Sequence, residues 1–236
     1  MAASPGTKLC TGMECIDRLV GGGLPVGGMV SVCGPCGSGK TFLAMEYLLR
    51  GALAGQRGVY ISTVHSPEKL LASMPRLDRA EGDPFKDGRL AIKHIDDMGS
   101  GEREDGKITR PEASAIVEDI AEAIDGSKAQ RLVLDATNPL MLEMQDWVAR
   151  AFLVSLSKLL FKAKCTGLLI TEGDDMQGLE QTMADGIIRL GTAVRRGDNY
   201  RVLEVVKMAG VAHSRAKYVM DMTSEGILVT PMLRGL

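Results

Sequence analysis

Short unbroken apolar runs alternate with stretches of helical periodicity through the first three-quarters of this chain. Residues 29–33 (MVSVC), Gly58–Ser62 (GVYIS), Arg131–Asp135 (RLVLD) and residues 167–171 (GLLIT) are mainly apolar runs of strand length, bounded by turn residues, and residues 90–95 also read as a strand. Between them lie helical patterns. Phe42, Met45, Leu48, Leu49 and Leu53 recur at helical spacing, as do Ile116, Ile120 and Ile124 within 112–124. Val148, Phe152, Leu156 and Leu160 do the same within 147–164. Ser66-Pro67-Glu68 has the residue types that open a helix, with Ser as cap, Pro in the first turn and an acid near the dipole. Strands that are apolar on every residue must be covered on both faces, which is the habit of a parallel sheet sandwiched by helices. From Gly186 the pattern changes. GIIRL, RVLEVVKM, AKYVMDM and GILVT are strand-like runs with turns and no helical period between them, so antiparallel strands are expected there. Residues 96–110 are polar and dotted with glycine, a surface loop by composition.

Composition narrows this picture. Of the 236 residues, 45% are hydrophobic but only 4% aromatic, so the core is built from aliphatic residues and Met. The expectation is one α/β domain over residues 1–236, with a lead-in at 1–28, a core at 29–185 and an antiparallel tail at 186–236. The net charge of −2 provides no general attraction for nucleic acid. Five cysteines, an odd number, suit a reducing compartment better than a disulfide framework. No apolar run approaches the length of a membrane span, and the expected location is the cytoplasm.

The chemistry concentrates in Gly34-Pro35-Cys36-Gly37-Ser38-Gly39-Lys40-Thr41, which fits G-x-x-x-x-G-K-[ST] at each fixed position and sits between a strand and a helix. The residue types follow from the task. Glycines let successive backbone N–H groups turn inward toward phosphate oxygens, and the helix start adds its positive dipole end. Lys40 is expected on the β- and γ-phosphates and the Thr41 hydroxyl on Mg²⁺, with Asp135 at the end of RLVLD as the acidic partner of the metal. ATP and Mg²⁺ are therefore the expected ligands. A rival reading overlaps it, because Cys33-Gly34-Pro35-Cys36 is also a dithiol sequence between a strand and a helix. The chain is too long for a thioredoxin-like domain, and the phosphate loop needs the same backbone in another shape.

With these motifs in place, the chain resembles the RecA superfamily, most nearly its single-domain KaiC-like ATPases. The resemblance runs from TGMECIDRLVGGGLPVGG through the phosphate loop, YISTVHSPEKLLASM, RLVLD, LLITEG and ADGIIRL to LEVVKMAGVAHS and TSEGILVTP. It implies a RecA-type core, ATP at subunit interfaces, ring-shaped homo-oligomers, often hexamers, and slow switching rather than metabolic turnover. It also implies that Lys207 of one subunit approaches the nucleotide of the next. The chain departs from the family's pattern in two places. Val64 and His65 stand where relatives carry a glutamate pair, one of which activates water. Ala209 stands where relatives tend to carry an interface arginine beside the lysine. The branch containing the archaellum motor's accessory ATP-binding protein also lacks the glutamate pair.

Three residues are candidates for the missing base: His65, whose imidazole type suits proton transfer near neutrality, Glu68, and Glu172 at the end of LLITE. Each has a plainer reading, respectively a helix-start histidine, a first-turn acid and a polar strand end. Arg195, Arg196 and Arg201 form the compact basic cluster, where DNA contact is conceivable but a solvated hairpin is the simpler reading. Three functions remain open: a slow ATPase that reshapes an oligomer, a non-hydrolysing ATP-dependent scaffold, and a recombination accessory. A protein partner would leave no motif here.

Overall fold

Burial of the central strands on both faces dictates the architecture. In this computed structural model, which describes residues 8–72, 82–95, 107–173, 178–195 and 197–232, all of β3 (Met29–Gly34) and all of β4 (Gly58–Ser62) are buried. Helix α2 (Lys40–Leu53) covers one face with Leu43, Leu48 and Tyr47. Helices α4 (Arg110–Ser127) and α6 (Asp146–Ala163) cover the other with Ile116, Ile120, Phe152 and Leu156. The remaining elements are β1 (Lys8–Leu9), α1 (Glu14–Leu19), β2 (Leu24–Pro25), α3 (Pro67–Ala72), β5 (Leu90–His94), β6 (Arg131–Asp135), α5 (Asn138–Glu143), β7 (Thr166–Glu172), α7 (Leu179–Met183), β8 (Gly186–Arg195), β9 (Asp198–Met208), β10 (Lys217–Thr223) and β11 (Gly226–Pro231).

The main sheet runs β11-β10-β9-β8-β3-β7-β6-β4-β5. Strands β3, β4, β5, β6, β7 and β8 pair in parallel, and β8–β9, β9–β10 and β10–β11 pair antiparallel. The α/β class, with a mainly parallel sheet between helices and antiparallel C-terminal strands, is therefore realised. One boundary moves. The change of pattern at Gly186 marks the start of β8, yet β8 runs parallel to β3, and antiparallel pairing begins only between β8 and β9.

Local chemistry explains where expected ends shifted. Helix α4 starts before Glu112 because Thr109 and Glu112 close a capping box, the Thr109 N–H donating to the Glu112 carboxylate at 2.6 Å. Helices α1, α5 and α7 were not legible in the apolar spacing, because five or six residues show no repeat of the helical period. The glycine-rich lead-in includes β2, which pairs with β1.

Arg131, the first residue of β6, ties the lead-in to the core. Its guanidinium is buried and donates to the carbonyls of Cys10 at 2.6 Å, Thr11 at 2.9 Å and Tyr47 at 2.6 Å, and to the Gln56 side chain at 2.7 Å. It also lies over the Tyr47 ring at 4.5 Å. Glycine at 51 makes room for it, since a Cβ there would come within 2.3 Å of Arg131 Nε. No helix among the described residues is long and apolar enough to cross a membrane.

Candidate nucleotide-binding site

A cleft of about 490 Å³ opens at the carboxyl ends of β3, β4, β6 and β7, where open parallel sheets place their ligand sites. The loop after β3 forms one wall through Cys36, Gly37, Gly39, Lys40 and Thr41. Gly37 at φ +75° and Gly39 at φ +98° occupy the left-handed region that glycine reaches without strain. Helix α2 starts at Lys40, so its unpaired N–H groups and positive dipole end face the cleft. Gly34, Pro35 and Ser38 belong to the loop but not to the cleft wall. Gly34 is buried, and a Cβ there would fall 2.2 Å from the Leu190 carbonyl oxygen. The Ser38 side chain is buried with no hydrogen-bond partner among the described residues.

The Lys40 ammonium donates to the carbonyls of Gly34 at 2.8 Å and Pro35 at 2.9 Å, which folds it back along the loop. The Thr41 hydroxyl donates to Asp135 Oδ2 at 2.8 Å. Buried Tyr60 donates to the same oxygen. Burial first, and then the neighbouring Asp135 charge, hold the Tyr60 proton on its oxygen far above the ordinary range, so the phenol is a donor throughout neutral pH. Next along the chain, Ala136 is held through both backbone groups by Thr63 Oγ1, its carbonyl accepting at 2.7 Å and its N–H donating at 3.0 Å.

This donor set fits Mg²⁺. The metal takes octahedral oxygen ligands at about 2.0–2.1 Å, which places neighbouring ligand oxygens about 3 Å apart. The Thr41 and Asp135 oxygens already stand at 2.8 Å. No group of three or more His, Cys, Asp or Glu side chains that could hold a metal occurs among the described residues.

The three candidate bases separate. His65 and Glu172 line the cleft, together with exposed Val64. Glu68 is exposed on α3 and does not line it. Hydrogen bonds from its own backbone N–H and then from Ser66 hold its carboxyl below the usual range, the behaviour of a capping acid. Asn138, at the start of α5, grips Glu172 by the backbone, with its Nδ2 donating to the Glu172 carbonyl at 3.0 Å and its Oδ1 accepting the Glu172 N–H at 2.5 Å. Thr171 turns away from the cleft, into a buried polar group with Thr137 at 3.3 Å and Ser31 at 3.5 Å. Thr137 also donates to the buried Glu180 at 3.1 Å.

Lys207 sits at the opposite end of the sheet. It pairs with Ile187 near the amino end of β8, and its ammonium donates to the Ala184 carbonyl at 2.6 Å. The basic cluster divides, since Arg201 donates to the Gly37 carbonyl at 3.4 Å, while Arg196 lies outside the described residues. The dithiol reading also loses its geometry. Cys33 is buried in β3, Cys36 is exposed in the loop, and no disulfide joins the two among the described residues.

Sequence reasoning gave no role here to Tyr60 or Met222, and read Arg201 only as part of a basic hairpin. Met222 lines the cleft with Phe42, while Tyr60 and Arg201 touch its walls through Asp135 and Gly37; none carries a local signal, because the partner of each is distant in sequence.

Comparison with known proteins agrees with this geometry. The family model described as "ATPase: KaiC" matches residues 9–234. A UPF0273 protein of Methanopyrus kandleri is 29% identical over 95% of this chain and 92% of its own length. The circadian clock protein KaiC2 of Synechocystis is 29% identical over 95% of this chain, which spans 40% of that longer protein. The crystal structure of a KaiC-like protein from Pyrococcus horikoshii superposes with a TM-score of 0.81 at 25% identity, covering 96% of this chain and all of the other.

Proposed function

The chain belongs to the KaiC family of ATPases, and from that premise we propose that it binds Mg-ATP in the cleft after β3 and uses it chiefly to control its own assembly. The observation that carries this reading is the Thr41–Asp135 oxygen pair beside Lys40 at the start of α2. The loop N–H groups and the helix start hold the phosphates, and Lys40 leaves the Gly34 and Pro35 carbonyls to reach the β- and γ-phosphates. Thr41 and Asp135 would hold Mg²⁺, which supplies charge neutralisation on the phosphate oxygens. His65 and Glu172 face the same cleft and are the groups available to orient or deprotonate a water.

The groups that would assist them in relatives are replaced here. Val64 contributes no proton acceptor, and Ala209 contributes no charge to a neighbour's nucleotide. Loss of an arginine at such a contact costs about 10³–10⁵ in rate where it has been measured. Turnover is therefore expected on the order of one ATP per minute or less. Phosphate release should drop further in Glu172→Gln or His65→Ala, whichever holds the water, while Glu68→Gln leaves it unchanged. Turnover at ordinary enzyme rates in the parent protein, indifferent to all three changes, would refute this account.

Assembly is the second expectation. Lys207 stands at the end of the sheet opposite its own cleft, so a contact with nucleotide requires another copy of the chain. Such head-to-tail contacts close into a ring of one size. Light scattering should show a single discrete oligomer at saturating Mg-ATP, weakened by Lys207→Ala. A monomer under those conditions would rule the ring out.

A further inference from the structure

The β8–β9 hairpin runs past the last rung of β3 and carries a cation to the phosphate loop. The β3–β8 pairing ends at Cys33↔Arg189, but β8 and β9 remain paired as far as Arg195↔Asp198. Leu203 and Val205 of β9 are buried in the same cluster as Leu43 and Leu48 of α2. Side chains alternate along a strand, so Arg201 lies on that α2-facing side, two residues beyond Leu203. Its partner across the hairpin is Thr192, three residues past the Arg189 rung and roughly 10 Å further on at strand spacing. That distance brings it level with the loop. Arg201 Nε–H donates to the Gly37 carbonyl at 3.4 Å.

Its charge is not neutralised within the hairpin. Arg189, on the same strand pair, is bridged to Glu204 at 3.1 Å, whereas no carboxylate among the described residues pairs with Arg201. A guanidinium has five N–H groups in a planar fork, and the bond to Gly37 uses one. The rest remain to bind phosphate oxygen with charge-assisted bonds, which are about twice as strong as neutral ones.

We propose that Arg201 is a positioning residue for the nucleotide polyphosphate, contributed by the same chain that owns the loop: it braces Gly37 and holds a full positive charge beside the phosphates. The inference rests on the cleft being the ATP site, and the experiment separates the two claims.

Calorimetry with Mg-ATP over a series of salt concentrations is run on the parent, R201Q, R201K, R195Q and Lys40→Ala. Gln keeps an N–H donor for the Gly37 carbonyl but removes the charge, so a bracing role alone would leave R201Q close to the parent. Arg201 is exposed, and R201Q should melt within a few degrees of the parent. Affinity is expected to fall about tenfold in R201Q, with a shallower salt dependence, and to stay within about threefold in R201K. R195Q should change affinity little. Parent-like affinity and salt dependence in R201Q would overturn the proposal, as would an equal loss in R195Q. Parent-like binding by Lys40→Ala would instead remove the ATP-site reading beneath it.

Discussion

Replacing Lys40 by Ala is expected to weaken Mg-ATP binding about a hundredfold or more, from a parent affinity in the micromolar range. Hydrogen bonds involving a charged partner contribute about 1.5–3 kcal/mol each, and Lys40 is positioned to make two to the phosphates. Against that stands the loss of its bonds to the Gly34 and Pro35 carbonyls, at 2.8 and 2.9 Å, which must break before it reaches the nucleotide. The net is about 3 kcal/mol, or two decades in affinity at 1.4 kcal/mol per decade. Fold stability should change much less, because the ammonium is only partly buried. Calorimetry on Lys40→Ala, with a melting curve to confirm folding, tests this. An unchanged dissociation constant would mean that the cleft does not bind phosphate through this loop.

The largest stability effect is expected at Arg131, far from the cleft chemistry. Arg131→Met keeps an unbranched stem but strips the donors from three carbonyls and one amide oxygen in the interior. Breaking a buried charged network from one side costs about 3–5 kcal/mol, because the acceptors left behind are dry and unpaired. For a chain of this size each kcal/mol lowers Tm by about 2–4 °C, so a fall of about 6–20 °C is expected. The exposed Arg18–Glu14 pair is the control, since both side chains are more than 70% exposed at 75% and 81% and such pairs contribute little. Gly51→Ala should behave like Arg131→Met, because its Cβ would collide with the guanidinium. Melting of Arg131→Met within about 2 °C of the parent would show that the clamp does not hold the lead-in.

Much of the cleft could be read along the chain because its main wall is contiguous. Eight consecutive residues from Gly34 to Thr41 supply the loop and the start of the helix, and Asp135 announces itself as a carboxylate ending an apolar strand. The parallel body was legible for a similar reason: strands apolar on every residue admit only a location covered on both sides. Choosing among His65, Glu68 and Glu172 was not possible in one dimension. All three lie at or beyond the ends of strands and carry suitable groups, and only the arrangement of β4, α3 and β7 leaves Glu68 outside the cleft.

Periodicity reports which face of an element is buried; it carries no information about the element on the other side of that burial. The bond from Tyr60 to Asp135 spans 75 residues, that from Arg201 to Gly37 spans 164, and Arg131 reaches back 121 to Cys10. Polar groups such as these are enclosed when strands far apart in sequence become neighbours, and they must then find partners among whatever the packing brings within 3 Å or so. The chain's own pattern thus determined the α/β class and the glycine-rich loop between a strand and a helix, and it marked the aspartate that Thr41 meets. Strand order, the parallel setting of β8, the partners of the buried polar groups and the membership of the cleft were decided by tertiary packing, because each depends on distances between residues that local spacing does not constrain.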